Sequence, residues 1–140
     1  MSYTINIDLK NSGKLAVDDQ AVADGSAAWS GEGLFDMSLK LTMASSGNSG
    51  ALLCRRSKDG DSCCIVLGVH NYAPWCNIVT DVSPSDTASG ILLSFYAGGS
   101  RRSGWVQVVE ERKTTSKGTS VQVKFTKVDG NSLNAEINIA

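Results

Sequence analysis

The chain has 140 residues, enough for one hydrophobic core, and reads as a single domain over residues 1–140. Its 41% hydrophobic and 19% charged residues exclude both a membrane-embedded helical protein and a disordered chain. Thirteen Lys and Arg against 14 Asp and Glu leave a formal net charge of -1, so no overall field draws nucleic acid or an anionic bilayer.

Taken in order, the segments alternate with a period of two. Residues 3–9 set Tyr3, Ile5, Ile7 and Leu9 on one face against Thr4, Asn6 and Asp8, the pattern of a half-buried strand. Similar runs predict strands at 34–42, with Phe35, Met37, Leu39 and Leu41 inward, and at 51–55, 62–69, 75–80 and 121–126. Leu133, Ala135, Ile137 and Ile139 repeat the opening pattern at the end. Gly, Ser, Asn and Asp at 44–50, 58–61 and 129–131 supply the connecting turns. Ser83, Pro84 and Asp86 predict the start of a short helix over 87–96, weakened by Gly90. From Ala97 to 117 the periodicity is poor, with a brief strand expected at Val106, Val108 and Val109. Many short strands in one domain predict an all-β sandwich or barrel.

The opening residues carry neither a basic leader nor a continuous apolar run, so the expected location is cytoplasmic and the expected state of Cys54, Cys63, Cys64 and Cys76 is reduced. On a strand, Cys63 and Cys64 point to opposite faces, which leaves only one of them for the core.

Several chemistries can be weighed on these residues. His70 and Cys76 could form a base and thiol nucleophile if the chain folds back between them, but Cys76 opens an apolar strand, where cysteine is ordinarily a small buried hydrophobe. No Cys or His pair has the spacing of a closed zinc site, and no cofactor is implied. Arg55-Arg56 and Arg101-Arg102 read as solvated pairs, too few and too poor in interleaved aromatics for a nucleic-acid face. Sugar recognition needs short polar side chains and open backbone groups at loop tips. Ser46, Gly47 and Asn48, with His70, Asn71 and Tyr72, supply them, although the same residues are ordinary turn formers.

Residues 68–80, Gly-Val-His-Asn-Tyr-Ala-Pro-Trp-Cys-Asn-Ile-Val-Thr, resemble the signature of the fungal fruit-body lectins, the mushroom agglutinin family. There Gly-Val-His-Asn-Tyr, two variable residues and Trp-Cys-Asp-Ile-Val-Thr recur, and the fixed positions differ here only at Asn77. Ser2-Tyr3-Thr4-Ile5, Leu41-Thr42-Met43 with Ser46-Gly47 and Ser49-Gly50, and Gly130-Asn131 before Leu133 extend the likeness, which is thin between residues 10 and 30. Members also occur in liverworts, and this chain looks like a divergent one.

The resemblance implies an antiparallel β-sandwich similar to the actinoporin fold, with one or two short helices, assembled as a homotetramer. It implies a non-enzymatic agglutinin whose partners are glycans and glycoproteins, which meets membranes only through surface glycans, and whose role is defence. One sugar site would take the mucin-type disaccharide galactose-β1,3-N-acetylgalactosamine, the T-antigen, at Ser46, Gly47 and Asn71 with His70 adjoining, and a backbone contact near residues 23–25. A second would take terminal N-acetylglucosamine at Ile78, Thr80 and Arg101. Asn77 stands where the family has Asp and Glu111 where it has Tyr, so this second site loses a charge and an aromatic surface. Trp75 and Tyr72 read as packing residues. A membrane-active, actinoporin-like cytolysin and a thiol enzyme using Cys76 and His70 remain as rival readings.

Overall fold

A computed structural model describes residues 2–96 and 98–140. Ala97, at the start of the unpatterned stretch, lies outside the described residues. The elements in chain order are β1 (Tyr3–Asn11), β2 (Ala16–Val22), β3 (Ala27–Gly33), β4 (Met37–Met43), β5 (Asn48–Arg55), β6 (Ser62–His70), β7 (Ala73–Thr80), α1 (Ala88–Leu93), a 3-10 turn (Arg102–Gly104), β8 (Glu110–Thr114), β9 (Ser120–Lys127) and β10 (Ser132–Ile139). A six-stranded sheet, ordered β3-β4-β1-β10-β9-β8, packs on a four-stranded sheet, ordered β2-β5-β6-β7. The all-β sandwich expected from the sequence is therefore present, with one refinement. Pairing is antiparallel except between β1 and β10, which run parallel from Thr4 opposite Ser132 to Asn11 opposite Ile139. Their matched alternation, Ile5 beside Leu133 and Ile7 beside Ala135, keeps the apolar sides of both strands on one face.

That face meets the four-stranded sheet across the main core. Ile5, Leu9, Leu41, Val123 and Ile137 on one side pack toward Leu52, Cys54, Cys63, Ile65, Leu67 and Ile78 on the other. Burying a side chain such as Leu41 or Ile65 contributes about 1.5–3 kcal/mol. The second face of the four-stranded sheet is covered as well. Ala51, Leu53, Cys64, Val66 and Trp75 lie under Val82, Ala88, Ile91, Leu92 and Phe95, which brings α1 down as a third layer. A sheet buried on both sides reads as continuous apolar runs rather than alternation, which is how β5 to β7 read. It also corrects the expectation for the adjacent cysteines: Cys63 and Cys64 are both fully buried, one in each cluster. All four thiols are free.

Local structure departs from the sequence expectation in three further places. The helix begins at Ala88, not at Pro84, because Asp86 is spent on a separate turn: its Oδ2 accepts from Ser83 N at 2.8 Å, and its own N–H donates to Ser83 O at 3.0 Å. Thr87, in extended conformation, is the cap, its Oγ1 accepting from Gly90 N at 3.0 Å. No strand forms at residues 106–109; β8 follows instead, and only Val108 of the three valines packs on the core. Phe35 precedes β4 and is only half-buried.

Candidate functional site

The β6–β7 hairpin turns on two residues, Asn71 (φ 49°) and Tyr72 (φ 65°), between the paired His70 and Ala73. Positive φ at both central positions is the tight hairpin geometry, easy for Asn and costly for Tyr. The neighbourhood holds this turn in place. Ser46 Oγ accepts from Tyr72 N at 2.9 Å, and Gln107 Nε2 donates to His70 O at 2.6 Å and to Ala73 O at 2.9 Å. The loop before β5 is fixed in turn by Gly47, at φ 89°, whose N–H donates to Val69 O at 2.8 Å. Ser46, Gly47, His70 and Asn71 are thus brought together on two adjoining loops.

The loop at residues 23–26 closes a third side. Buried Asn48 donates through Nδ2 to Asp24 Oδ1 and Ser26 Oγ, both at 2.9 Å, and Ala23 N donates to Ser49 O at 2.9 Å. Asp24 also accepts from the Ser26 hydroxyl and N–H, which hold its carboxyl below the usual carboxylate range. The residues expected to supply a backbone contact near 23–25 accordingly border Asn48, next to Gly47.

Beside these loops opens a cleft of about 220 Å³, lined by Gly47, Val69, His70, Trp75, Phe95, Tyr96, Arg102 and Trp105. The His70 and Trp105 rings meet edge to face with centroids 5.0 Å apart, Trp75 and Trp105 at 5.5 Å, and the Arg102 guanidinium lies 5.6 Å from the centre of the Trp105 ring. Tyr96 shares a hydrogen bond with Ser49, and burial pushes its phenol above the ordinary tyrosine value. Trp75 is a packing residue, as expected. Tyr72 is not: its side chain is 79% exposed, because the positive-φ turn carries the ring out over the rim.

Across the α1–3-10 segment lies a second cavity, about 460 Å³, lined by Asn77, Ile78, Val79, Thr80, Phe95, Ser100, Arg101, Ser103 and Lys113. Four of the five residues assigned by resemblance to a second site, Asn77, Ile78, Thr80 and Arg101, gather here. Glu111 does not line it; its Oε1 accepts from Arg112 N at 3.0 Å. Lys113, two residues further along β8, takes that side of the cavity, with Nζ donating to Ile78 O at 2.6 Å and Asn77 Oδ1 at 3.3 Å. Asn77 Oδ1 also accepts from Ile78 N at 2.7 Å.

The arginine pairs are not simply solvated. Arg101 is half-buried and donates to Ser94 Oγ at 3.0 Å, while Arg102 serves the other cavity. Arg55 pairs with Asp18 at 2.7 Å and Arg56 with Asp59 at 2.8 Å. His70 and Cys76 do not form a dyad. Cys76 sits opposite Leu67 in the main core, whereas His70 lies on the helix-covered face against Trp105. Burial, then the charges of Glu111 and Glu110, push the Cys76 thiol up to about 12, so almost no thiolate exists at neutral pH. No group of His, Cys, Asp or Glu fit to hold a metal occurs among the described residues, and none of their helices is long and apolar enough to cross a membrane.

The sequence model of the fungal fruit body lectin family matches residues 1–137. The chain belongs to this family. Boletus edulis lectin is 40% identical over 98 residues, 69% of this chain and 68% of that protein. The solved structure of wild-type Xerocomus chrysenteron lectin superposes with a TM-score of 0.85 at 31% identity, covering all of both chains. A triple-methionine variant of the same lectin gives 0.85 at 32% identity, over 100% of this chain and 99% of that one. This fruit body lectin therefore shares the Xerocomus fold from end to end, and the family's sequence model also spans residues 10–30, where the quoted motifs show little likeness. Trp105, Ser100, Ser103 and Lys113 escaped the sequence reading, and Arg102 read only as a solvated charge, because all of them lie in a stretch without periodicity. The one signal they gave was a Gly-, Ser- and Arg-rich loop within an otherwise regular chain.

Proposed function

We propose that this lectin takes the mucin-type disaccharide galactose-β1,3-N-acetylgalactosamine at the rim formed by Ser46, Gly47, His70 and Asn71, and an N-acetylglucosamine-type sugar in the second cavity beside Ile78, Thr80 and Arg101. The observation that carries the reading is the convergence of those four residues from two loops distant in sequence, with Gly47 and His70 lining an aromatic cleft beside them. Asn71 and the Ser46 hydroxyl offer neutral donors and acceptors matched to sugar hydroxyls, and the cleft offers an apolar wall for a ring face or an acetyl group.

Each hydrogen bond to a sugar exchanges water for protein at a net gain of only about 0.5–1.5 kcal/mol, so a single site binds weakly. Avidity then comes from presenting several sites together, and a homotetramer that agglutinates cells through surface glycoproteins meets that need. The cytoplasm is the proposed store, consistent with four reduced thiols. Calorimetric titration with each sugar separately tests the assignment. Asn71→Ala should weaken the disaccharide roughly tenfold and spare N-acetylglucosamine, and Arg101→Ala should do the reverse, the size expected when one or two polar contacts are lost. Equal loss of both sugars in either variant would remove the two-site reading.

A further inference from the structure

The second cavity is cationic in a way that its resemblance to a neutral-sugar site does not predict. Two positive groups reach it from separate elements, Arg101 from the loop after α1 and Lys113 from β8. Neither belongs to an ion pair among the described residues. Their bonds inside the protein go to neutral acceptors: Ser94 Oγ for Arg101, and Asn77 Oδ1 and Ile78 O for Lys113. These bonds leave the ammonium an unspent donor and most of the guanidinium fork unused. Among the described residues no carboxylate lines the cavity: position 77 carries a neutral amide, and Glu111 is turned to the Arg112 N–H. The hydroxyl-bearing residues Thr80, Ser100 and Ser103 complete the wall.

Unpaired cations flanked by hydroxyls are the recognition chemistry of an oxyanion, because hydrogen bonds from charged donors to anionic oxygens are about twice as strong as neutral ones. Had an aspartate stood at position 77, it would have neutralised Lys113 and favoured a neutral sugar. The asparagine keeps the acceptor that positions the ammonium and removes the charge that would cancel it. Lys113 is exposed at the cavity side, so its head group can stay on Ile78 O and still face a ligand.

We propose that the second cavity binds an acidic saccharide, an N-acetylhexosamine carrying a sulfate ester or a comparable oxyanion, with Lys113 and Arg101 as the charge-recognising residues. The inference rests on the reading of this cavity as a sugar site. Titrating the full chain with N-acetylglucosamine, N-acetylglucosamine 6-sulfate and inorganic sulfate tests it, with the mucin-type disaccharide run on the same samples. The sulfated sugar should bind roughly tenfold more tightly than the neutral one at low ionic strength, with the advantage shrinking as salt is added. Lys113→Gln should bring the ratio of the two affinities close to one. Equal binding of both sugars, an unchanged ratio in both Lys113→Gln and Arg101→Gln, or inorganic sulfate binding as tightly as the sugar sulfate would each overturn the proposal. Disaccharide binding with neither hexosamine bound would discard this inference and leave the first site standing. Loss of all three would count against the sugar-binding assignment itself.

Discussion

At the scale of single residues, Tyr72 shows a local preference overruled by its surroundings. The two-residue turn between β6 and β7 needs positive φ at both positions, and its second position suits Gly best. Tyr occupies it at φ 65°, at a cost of about 1–2 kcal/mol relative to Gly, and leaves its ring in solvent. Ser46 and Gln107 hold the turn from outside, and strain retained in this way is common beside recognition sites. Tyr72→Gly is therefore expected to stabilise the protein by about 1 kcal/mol, because no buried contact is lost and the strain disappears. Urea unfolding measures this; a lowered midpoint would mean that the ring packs against the protein in solution. The motif carrying Tyr72 was legible as sequence, and so was the grouping of Ser46, Gly47, His70 and Asn71. The outward swing of Tyr72 was not, since it follows from backbone φ values that the side chain's own apolar character argues against.

At the scale of elements, β5 and β6 position both rim loops. Their register sets Gly68 opposite Ser49 and Val69 opposite Asn48, just where Gly47 leaves the loop to enter the sheet. A Cβ on Gly68 would stand 2.4 Å from both Asn48 O and Ser49 Cβ, closer than atoms can approach, so the absence of a side chain lets the strands meet here. Gly68→Ala should lower stability by about 1–3 kcal/mol, as overpacking of a rigid contact does. Because the displaced residues are Ser49 and Asn48, and Asn48 anchors the 23–26 loop, disaccharide affinity should fall with it. Thermal melting and a sugar titration on the same sample would show whether both change; a drop in stability with full affinity would mean that the rim is indifferent to the strand spacing. Elements divide sharply in how far the sequence announces them. β1, β4, β9 and β10 each have one buried face and alternate accordingly. β5, β6 and β7 stand out as apolar runs because they are covered twice. By contrast β2 (AVDDQAV), β3 (AAWSGEG) and β8 (EERKT) lie at sheet edges with little apolar surface to hide, so hydrophobic periodicity gives no sign of them. Their places are set by partners: Trp29 on β3, for example, packs on Gly50 and donates through Nε1 to Ala21 O at 2.8 Å.

At the scale of the whole molecule, the helix-covered face of the smaller sheet separates two cavities that share Phe95, and adjacent Arg101 and Arg102 serve one each. The opposite end of the β5–β6 hairpin does different work. Arg56 donates to both carboxylate oxygens of Asp59, at 3.1 and 2.8 Å, and to Gly13 O at 2.7 Å, while buried Asp61 accepts from the Thr119 hydroxyl. The hairpin loop is thereby tied to the β1–β2 connection, which crosses between the sheets, and to the β8–β9 turn of the other sheet. The Arg56 side chain holds the Asp59 carboxyl down to about 2, against about 3.9 in an unfolded chain. A depressed folded value means that the group's stabilising effect is complete above the unfolded value and disappears as pH falls through the folded one, between about 4 and 2. Asp24 and Asp81, lowered by bonds from Ser26 and Ser116, act in the same direction. Melting temperature should therefore fall as pH is taken from 5 to 2. Asp59→Asn should start lower at pH 5 and lose less on acidification, so that the two curves converge. At pH 5 its disaccharide affinity should match the parent's, because the tie lies at the far end of the hairpin from Gly47 and His70. Parallel melting curves across that interval would show that the Arg56–Asp59 contact contributes nothing to stability.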